Sequence, residues 1–114
     1  MNIQSLRGMP DFFPDDLQKW HSLEAVFSQV FHAYSIKEIR TPLLESTELF
    51  SRSAGNSSDI VNKELYSFLD RNNKSISLRP EGSAGVIRAI IQKKQEHEKH
   101  KLWYEGPMFR YERP

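Results

Sequence analysis

Apolar side chains recur at Leu17, Trp20, Leu23, Phe27, Val30, Phe31 and Tyr34, mostly three or four residues apart. That period lines them along one stripe of an amphipathic helix of about five turns. Pro14 suits a first helical turn, and Asp15 and Asp16 add negative charge where the helix dipole is positive, so the helix is expected to begin there. Upstream, RGMPDFFPDD at residues 7–16 carries a glycine, two prolines and three aspartates, a composition of turns. After Ser35 the helical period is lost. SIKEIRTPLLE, residues 35–45, reads as a short strand broken by Pro42, which has no N–H to give to a ladder.

The polar run STELFSRSAGNSSDIVNK, residues 46–63, predicts a short helical turn around Leu49 and then a loop, with flexibility near Gly55. ELYSFLD and SISLRP flank Arg71, Asn72, Asn73 and Lys74, the pattern of a β-hairpin whose second strand ends at Pro80. Ala84, Ile87, Ala89, Ile90 and Ile91 predict a second helix from Ser83 to about Lys94, with Ser83 as its N-cap. The last run, KLWYEGPMFRYERP, is rich in aromatics and predicts a further strand interrupted near Gly106 and Pro107. In such a strand Phe109, Tyr111 and Arg113 share one side, and Arg110 and Glu112 the other.

Composition narrows the class. With 114 residues, 38% hydrophobic and 27% charged, the chain suits one soluble globular domain, or a piece of something larger, and disorder is not the default. Sixteen basic against fifteen acidic side chains give a net charge of +1, so there is no overall electrostatic footprint for nucleic acid. Without cysteine there are no disulfides, thiolate nucleophiles or cysteine-ligated zinc. No stretch resembles a signal peptide or approaches the roughly 20 apolar residues of a membrane span. The expectation is a cytoplasmic protein with no membrane contact.

Candidate chemistry is sparse. His97, Glu98 and His100 miss the spacing of a helical zinc site, and QKKQEHEKHK reads as a solvated charged stretch, so no metal ligands are assigned. Neither familiar glycine-rich phosphate loop is present, which leaves phosphate binding to arginines. Arg110 is the natural candidate, since its forked donors match phosphate oxygens; the competing reading is a surface cross-strand ion pair with Glu112 or another carboxylate. Glu81, in LRPEGSAG at residues 78–85, either faces a cleft and receives a cationic group or answers the dipole of the following helix. Ser83 is divided in the same way between capping and donating a hydroxyl to a ligand.

Taken in order, RGMPDFFP, the long helix running into EIRTPLLE, KELYSFLDRNNKSISLRPEGSAG and LWYEGPMFRYERP resemble the N-terminal part of histidyl-tRNA synthetases, which are class II aminoacyl-tRNA synthetases. The ordered set covers almost the whole chain; residues 51–58 and 92–101 are its least family-like stretches. The resemblance implies an α+β fold, part of a class II catalytic domain, with a mainly antiparallel sheet flanked by a long N-terminal helix and a second helix. It implies motif 1 at about 14–45, building a homodimer interface, a histidine-binding element at 78–85, and the start of motif 2 at 102–114. On that match Arg110 contacts the ATP α-phosphate, Glu112 helps place the adenine end, and Glu81 receives the α-amino group of histidine. Ser83 stands where the family commonly has threonine and keeps the hydroxyl.

The implied reaction joins histidine to ATP, giving histidyl-adenylate and pyrophosphate, and then passes the histidyl group to tRNA(His). ATP is the substrate, accompanied by Mg2+. The second histidine-binding segment, the motif 3 arginine and an anticodon-binding domain are expected beyond residue 114, so the chain is expected to be a fragment with little or no aminoacylation of its own. Two other readings remain open at the level of sequence. One is the regulatory subunit of ATP phosphoribosyltransferase, a histidine-sensing paralogue; the other is a dimerisation module. Intact LRPEGSAG and FRYERP favour the enzyme.

Overall fold

A computed structural model describes residues 2–54 and 59–112, and the expectation of flexibility at Gly55 lies outside them. The described chain divides into two units, residues 2–37 and residues 38–112.

In the first unit the predicted helix is present as α1, Pro14–Ala33. Pro14 occupies its first turn, and the Asp16 carboxylate accepts the Phe13 N–H at 3.1 Å. Phe13 has no side-chain acceptor, so only this half of a capping box forms. At the other end the Ser35 N–H donates to the His32 carbonyl at 3.0 Å and the Ile36 N–H to that of Phe31 at 2.8 Å. With Ser35 at φ 59°, this is a Schellman ending in which serine takes the place usual for glycine. None of the residues of α1 is buried, although Phe12 meets Trp20 edge-on and Phe27 stacks near Phe31.

The second unit begins at the end of β1, Lys37–Glu38, and continues through β2, Leu44–Ser46, and α2, Thr47–Ala54. The helical turn expected around Leu49 is thus a full eight-residue helix, and a π-helical turn, Ile60–Glu64, forms where a loop was expected. The predicted hairpin is β3, Ser67–Leu69, and β4, Ser75–Leu78. Pro42 does separate two strands: β2 pairs with β4, while the Ile39 N–H donates to the carbonyl of Trp103 in β5, Leu102–Trp103. The three-stranded sheet has the order β2-β4-β3 and is antiparallel throughout.

One side chain fixes the hairpin turn. Asp70 Oδ1 accepts the N–H groups of Asn72 at 2.8 Å and Lys74 at 2.9 Å, and Asn73 adopts φ 60°. Asp70→Ala removes both bonds, an expected loss of about 1 kcal/mol. Protection of the Leu78 amide, which donates to Tyr66 across the hairpin, should fall about fivefold in hydrogen exchange. Unchanged protection would mean that the backbone alone sets this turn.

The register aligns Glu45 with Ser77 and Ser77 with Ser67. Ser77 is fully buried, and its hydroxyl lies 2.7 Å from those of both Thr47 and Ser67, so the polar row is internally satisfied. α2 packs against α3, Ser83–Gln92, and against β4, with Phe50 and Ala84 as the buried apolar residues. Gly85 lets α3 come close: a Cβ there would lie 3.2 Å from Thr41 Oγ1 and 3.3 Å from Glu45 Oε1. The buried Glu45 is answered from α3 by Arg88, whose Nη2 donates to Oε1 at 2.8 Å. Arg88 Nε also stands 2.8 Å from Oε2, but it is not aligned as a hydrogen bond, so that arm acts by charge alone.

Two expectations are corrected. Ser83 is the first residue of α3 rather than its cap; Gly82 holds the N-cap position with no side-chain cap, because the Glu81 carboxylate takes the free amides instead. The last run forms a strand only at β5, and residues 104–112 belong to no strand. Their amides go to separate acceptors, Phe109 N–H to the Arg79 carbonyl at 2.9 Å and Tyr111 N–H to that of Glu64 at 2.7 Å, so no continuous ladder forms.

Candidate functional site

The most continuously buried stretch of the second unit is the junction between β4 and α3, where Arg79, Pro80, Gly82, Ala84 and Gly85 are all buried. It is covered by residues 104–110, and the two segments interlock through backbone and side chains alike. The Arg79 carbonyl receives the Phe109 N–H, and the Pro80 carbonyl receives Arg110 Nε at 3.0 Å. Arg79 Nε reaches back to the Pro107 carbonyl at 3.0 Å. The Tyr104 ring lies so close over Gly82 that any Cβ there would collide with it, and its hydroxyl is 2.9 Å from Ser83 Oγ. Glycine at 82 allows this close approach of the ring.

Glu81 sits half-buried at the start of α3. Its Oε2 accepts the Ser83 N–H at 2.7 Å, and its two oxygens share the Ala84 N–H at 3.2 and 3.3 Å. The dipole-answering reading of Glu81 is thus realised, but it does not exhaust the group. A carboxylate offers about four acceptor positions, and two amide donors leave room for a cationic partner.

Among the described residues, the Arg110 side chain is held through Nε alone. Among the described residues its two Nη groups have no hydrogen-bond partner and Glu112 makes no ion pair with it, so the surface ion pair considered from the sequence does not form. The expected alternation also fails here: Glu112 N–H donates to the Arg110 carbonyl at 3.1 Å, a γ-turn that takes the pair out of a strand's two-sided arrangement. Arg113, the third member of the opposite side, lies outside the described residues.

Of the four residues singled out, Glu81, Ser83 and Arg110 come to adjoining segments, and the Glu112 side chain makes no hydrogen bond or ion pair with them among the described residues. Two contributors went unseen in the sequence. Tyr104 orients the Ser83 hydroxyl, and Arg79, only 5% exposed, joins the segments from beneath. A buried arginine has no signature in a sequence; the nearest signal is its place in a strand end followed directly by proline.

Chemically, the arrangement combines a fixed carboxylate, a hydroxyl and an outward guanidinium fork on neighbouring loops. The carboxylate suits an ammonium and the fork suits a phosphate.

The family profile described as Histidyl-tRNA synthetase matches residues 8–114. A histidine--tRNA ligase of Prochlorococcus marinus (strain MIT 9301) is 54% identical over 114 residues, covering 99% of this chain and 27% of the relative. The chain therefore spans about a quarter of the length of the curated relatives it matches. A crystal structure of apo histidyl-tRNA synthetase from S. aureus superposes with a TM-score of 0.80 at 40% identity, over 96% of this chain and 30% of the other. A Bacillus halodurans structure described as an ATP phosphoribosyltransferase regulatory subunit/histidyl-tRNA synthetase gives 0.78 at 21% identity, over 96% and 28%, a likeness of fold alone.

Proposed function

The chain belongs to the histidyl-tRNA synthetase family, and from that premise we propose that it supplies part of the amino-acid and nucleotide site of a histidine--tRNA ligase. The single observation that carries this reading is the interlock of residues 79–83 with 104–110, which sets Glu81 and Ser83 beside the segment that bears Arg110. Glu81 receives the α-ammonium of histidine while it stays bonded to the Ser83 and Ala84 amides, and the Ser83 hydroxyl, steadied by Tyr104, makes a second contact. Arg110 turns its free fork to the α-phosphate of ATP. Positive charge there offsets the repulsion between the histidine carboxylate and the phosphate, and stabilises the charge that develops as the carboxylate oxygen bonds to phosphorus and pyrophosphate leaves. Glu112 serves the adenine end.

Magnesium enters with the nucleotide. It accompanies the ATP phosphates in this reading, and no step here runs through it. Transfer to tRNA(His), pairing of two copies through the motif 1 region at about 14–45, and a cytoplasmic location complete the reading. Among the described residues no helix is long and apolar enough to cross a membrane.

The test is histidine-dependent exchange of pyrophosphate into ATP by the full-length polypeptide that carries this sequence. Exchange with histidine and none without it is the expected result. Histidine binding with no exchange would instead favour the histidine-sensing regulatory paralogue. The 114 residues alone should charge no tRNA, and measurable charging would overturn the assignment of the remaining site to other segments.

A further inference from the structure

We propose that Arg79 is a positioning residue for adenylate formation, acting through Glu81 and Arg110 rather than touching substrate; this rests on the functional reading above. Arg79 is 5% exposed, yet among the described residues every hydrogen-bond partner of its side chain is neutral. Nε donates to the Pro107 carbonyl at 3.0 Å, while Nη1 reaches the Thr41 carbonyl at 3.4 Å and Thr41 Oγ1 at 3.3 Å. Its backbone continues the same junction, the N–H donating to Leu43 and the carbonyl accepting from Phe109. One residue thus ties the segment before β2, the end of β4 and residues 107–109 together.

A buried cation without a counter-ion is unfavourable compared with a well-packed apolar side chain, so its presence calls for a geometric reason. The guanidinium supplies one, because its planar donors can hold two separate segments at a fixed spacing, which a lysine ammonium cannot do. The surroundings are shaped to admit it. Gly106, at φ 147°, faces the guanidinium, and a Cβ there would lie 2.5 Å from Nη2. Arg79 directly precedes Pro80, whose carbonyl anchors Arg110, and Glu81, so losing the clamp frees both charged groups to drift apart. Small misplacements of reacting groups are enough to cost orders of magnitude in rate.

The experiment uses the full-length polypeptide with Arg79→Met, Arg79→Lys and Gly106→Ala. Pyrophosphate exchange is read alongside amide hydrogen exchange of residues 104–112 and of α2. Arg79→Met should lower kcat by about tenfold or more, Arg79→Lys should recover only part of it, and Gly106→Ala should imitate the loss with the charge still present. Amide exchange should quicken in 104–112 and stay unchanged in α2. A kcat within twofold of the parent in folded Arg79→Met, or amide exchange that rises evenly through both segments, would reduce Arg79 to a stability role and overturn the proposal. Should Arg79→Met not fold, Gly106→Ala decides alone: parental kinetics in that variant overturn it. A parent that shows no exchange at all refutes the ligase reading, and the amide pattern then judges the clamp by itself.

Discussion

Arg110→Ala in the full-length enzyme is expected to lower histidine-dependent pyrophosphate exchange by about a hundredfold or more, the usual cost of removing one preorganised electrostatic contact to a transition state. The geometry explains the size of the effect. Nε is committed to the Pro80 carbonyl at 3.0 Å, which fixes the plane of the guanidinium and leaves both Nη groups for a ligand. A fork held in this way meets phosphate oxygens with little ordering left to do. Arg110→Lys should recover little, since an ammonium cannot bond to Pro80 and present two further parallel donors at once. Stability should hardly change: the residue is exposed, and the bond lost is a single one to a neutral carbonyl, worth about 1 kcal/mol. A folded Arg110→Ala enzyme with near-normal exchange would remove Arg110 from the nucleotide site.

The elements that could be read from the sequence are those whose signals are local. Pro14, Asp15 and Asp16 mark the start of α1, the three-to-four spacing fills it, and the loss of period after Ser35 marks its end. The hairpin is legible because Asn72 and Asn73 lie between two β-rich runs, whereas the part Asp70 plays in the turn shows only in the structure. Errors arise where a distant group settles the outcome. Ser83 carries the composition of an N-cap, but the Glu81 side chain already serves those amides, so Gly82 takes the cap position. FRYERP has aromatic strand propensity, but the Phe109 amide meets Arg79 on one segment and the Tyr111 amide Glu64 on another, so these two residues do not share one partner strand.

The site divides along the same line. As candidates, Glu81, Ser83 and Arg110 stand out because they sit within motifs whose order along the chain resembles a family. From local spacing alone, Arg110 and Glu112 made an unremarkable ion pair. Arg79 and Tyr104 act through space across 28 and 21 residues of sequence, respectively, and neither has a pattern around it that announces the contact.

Glu81 provides the second large effect and a way to separate its two roles. Glu81→Gln keeps the length of the side chain and one acceptor oxygen, so the Ser83 amide at the start of α3 can stay bonded, while the charge facing an ammonium is gone. Hydrogen bonds to charged groups are worth about 1.5–3 kcal/mol, so KM for histidine should rise about 10- to 100-fold, with KM for ATP little changed. Glu81→Ala removes the amide contacts as well and should add a stability loss of about 1 kcal/mol, the ordinary cost of a lost helix cap. If the carboxylate served only the helix, the two variants would divide differently: Glu81→Gln would bind histidine as the parent does, and Glu81→Ala would lose stability without a selective change in KM. A selective rise already present in Glu81→Gln, before the helix start is disturbed, is what an ammonium partner requires, because the half-buried carboxylate then carries the cap and the substrate on different lone pairs.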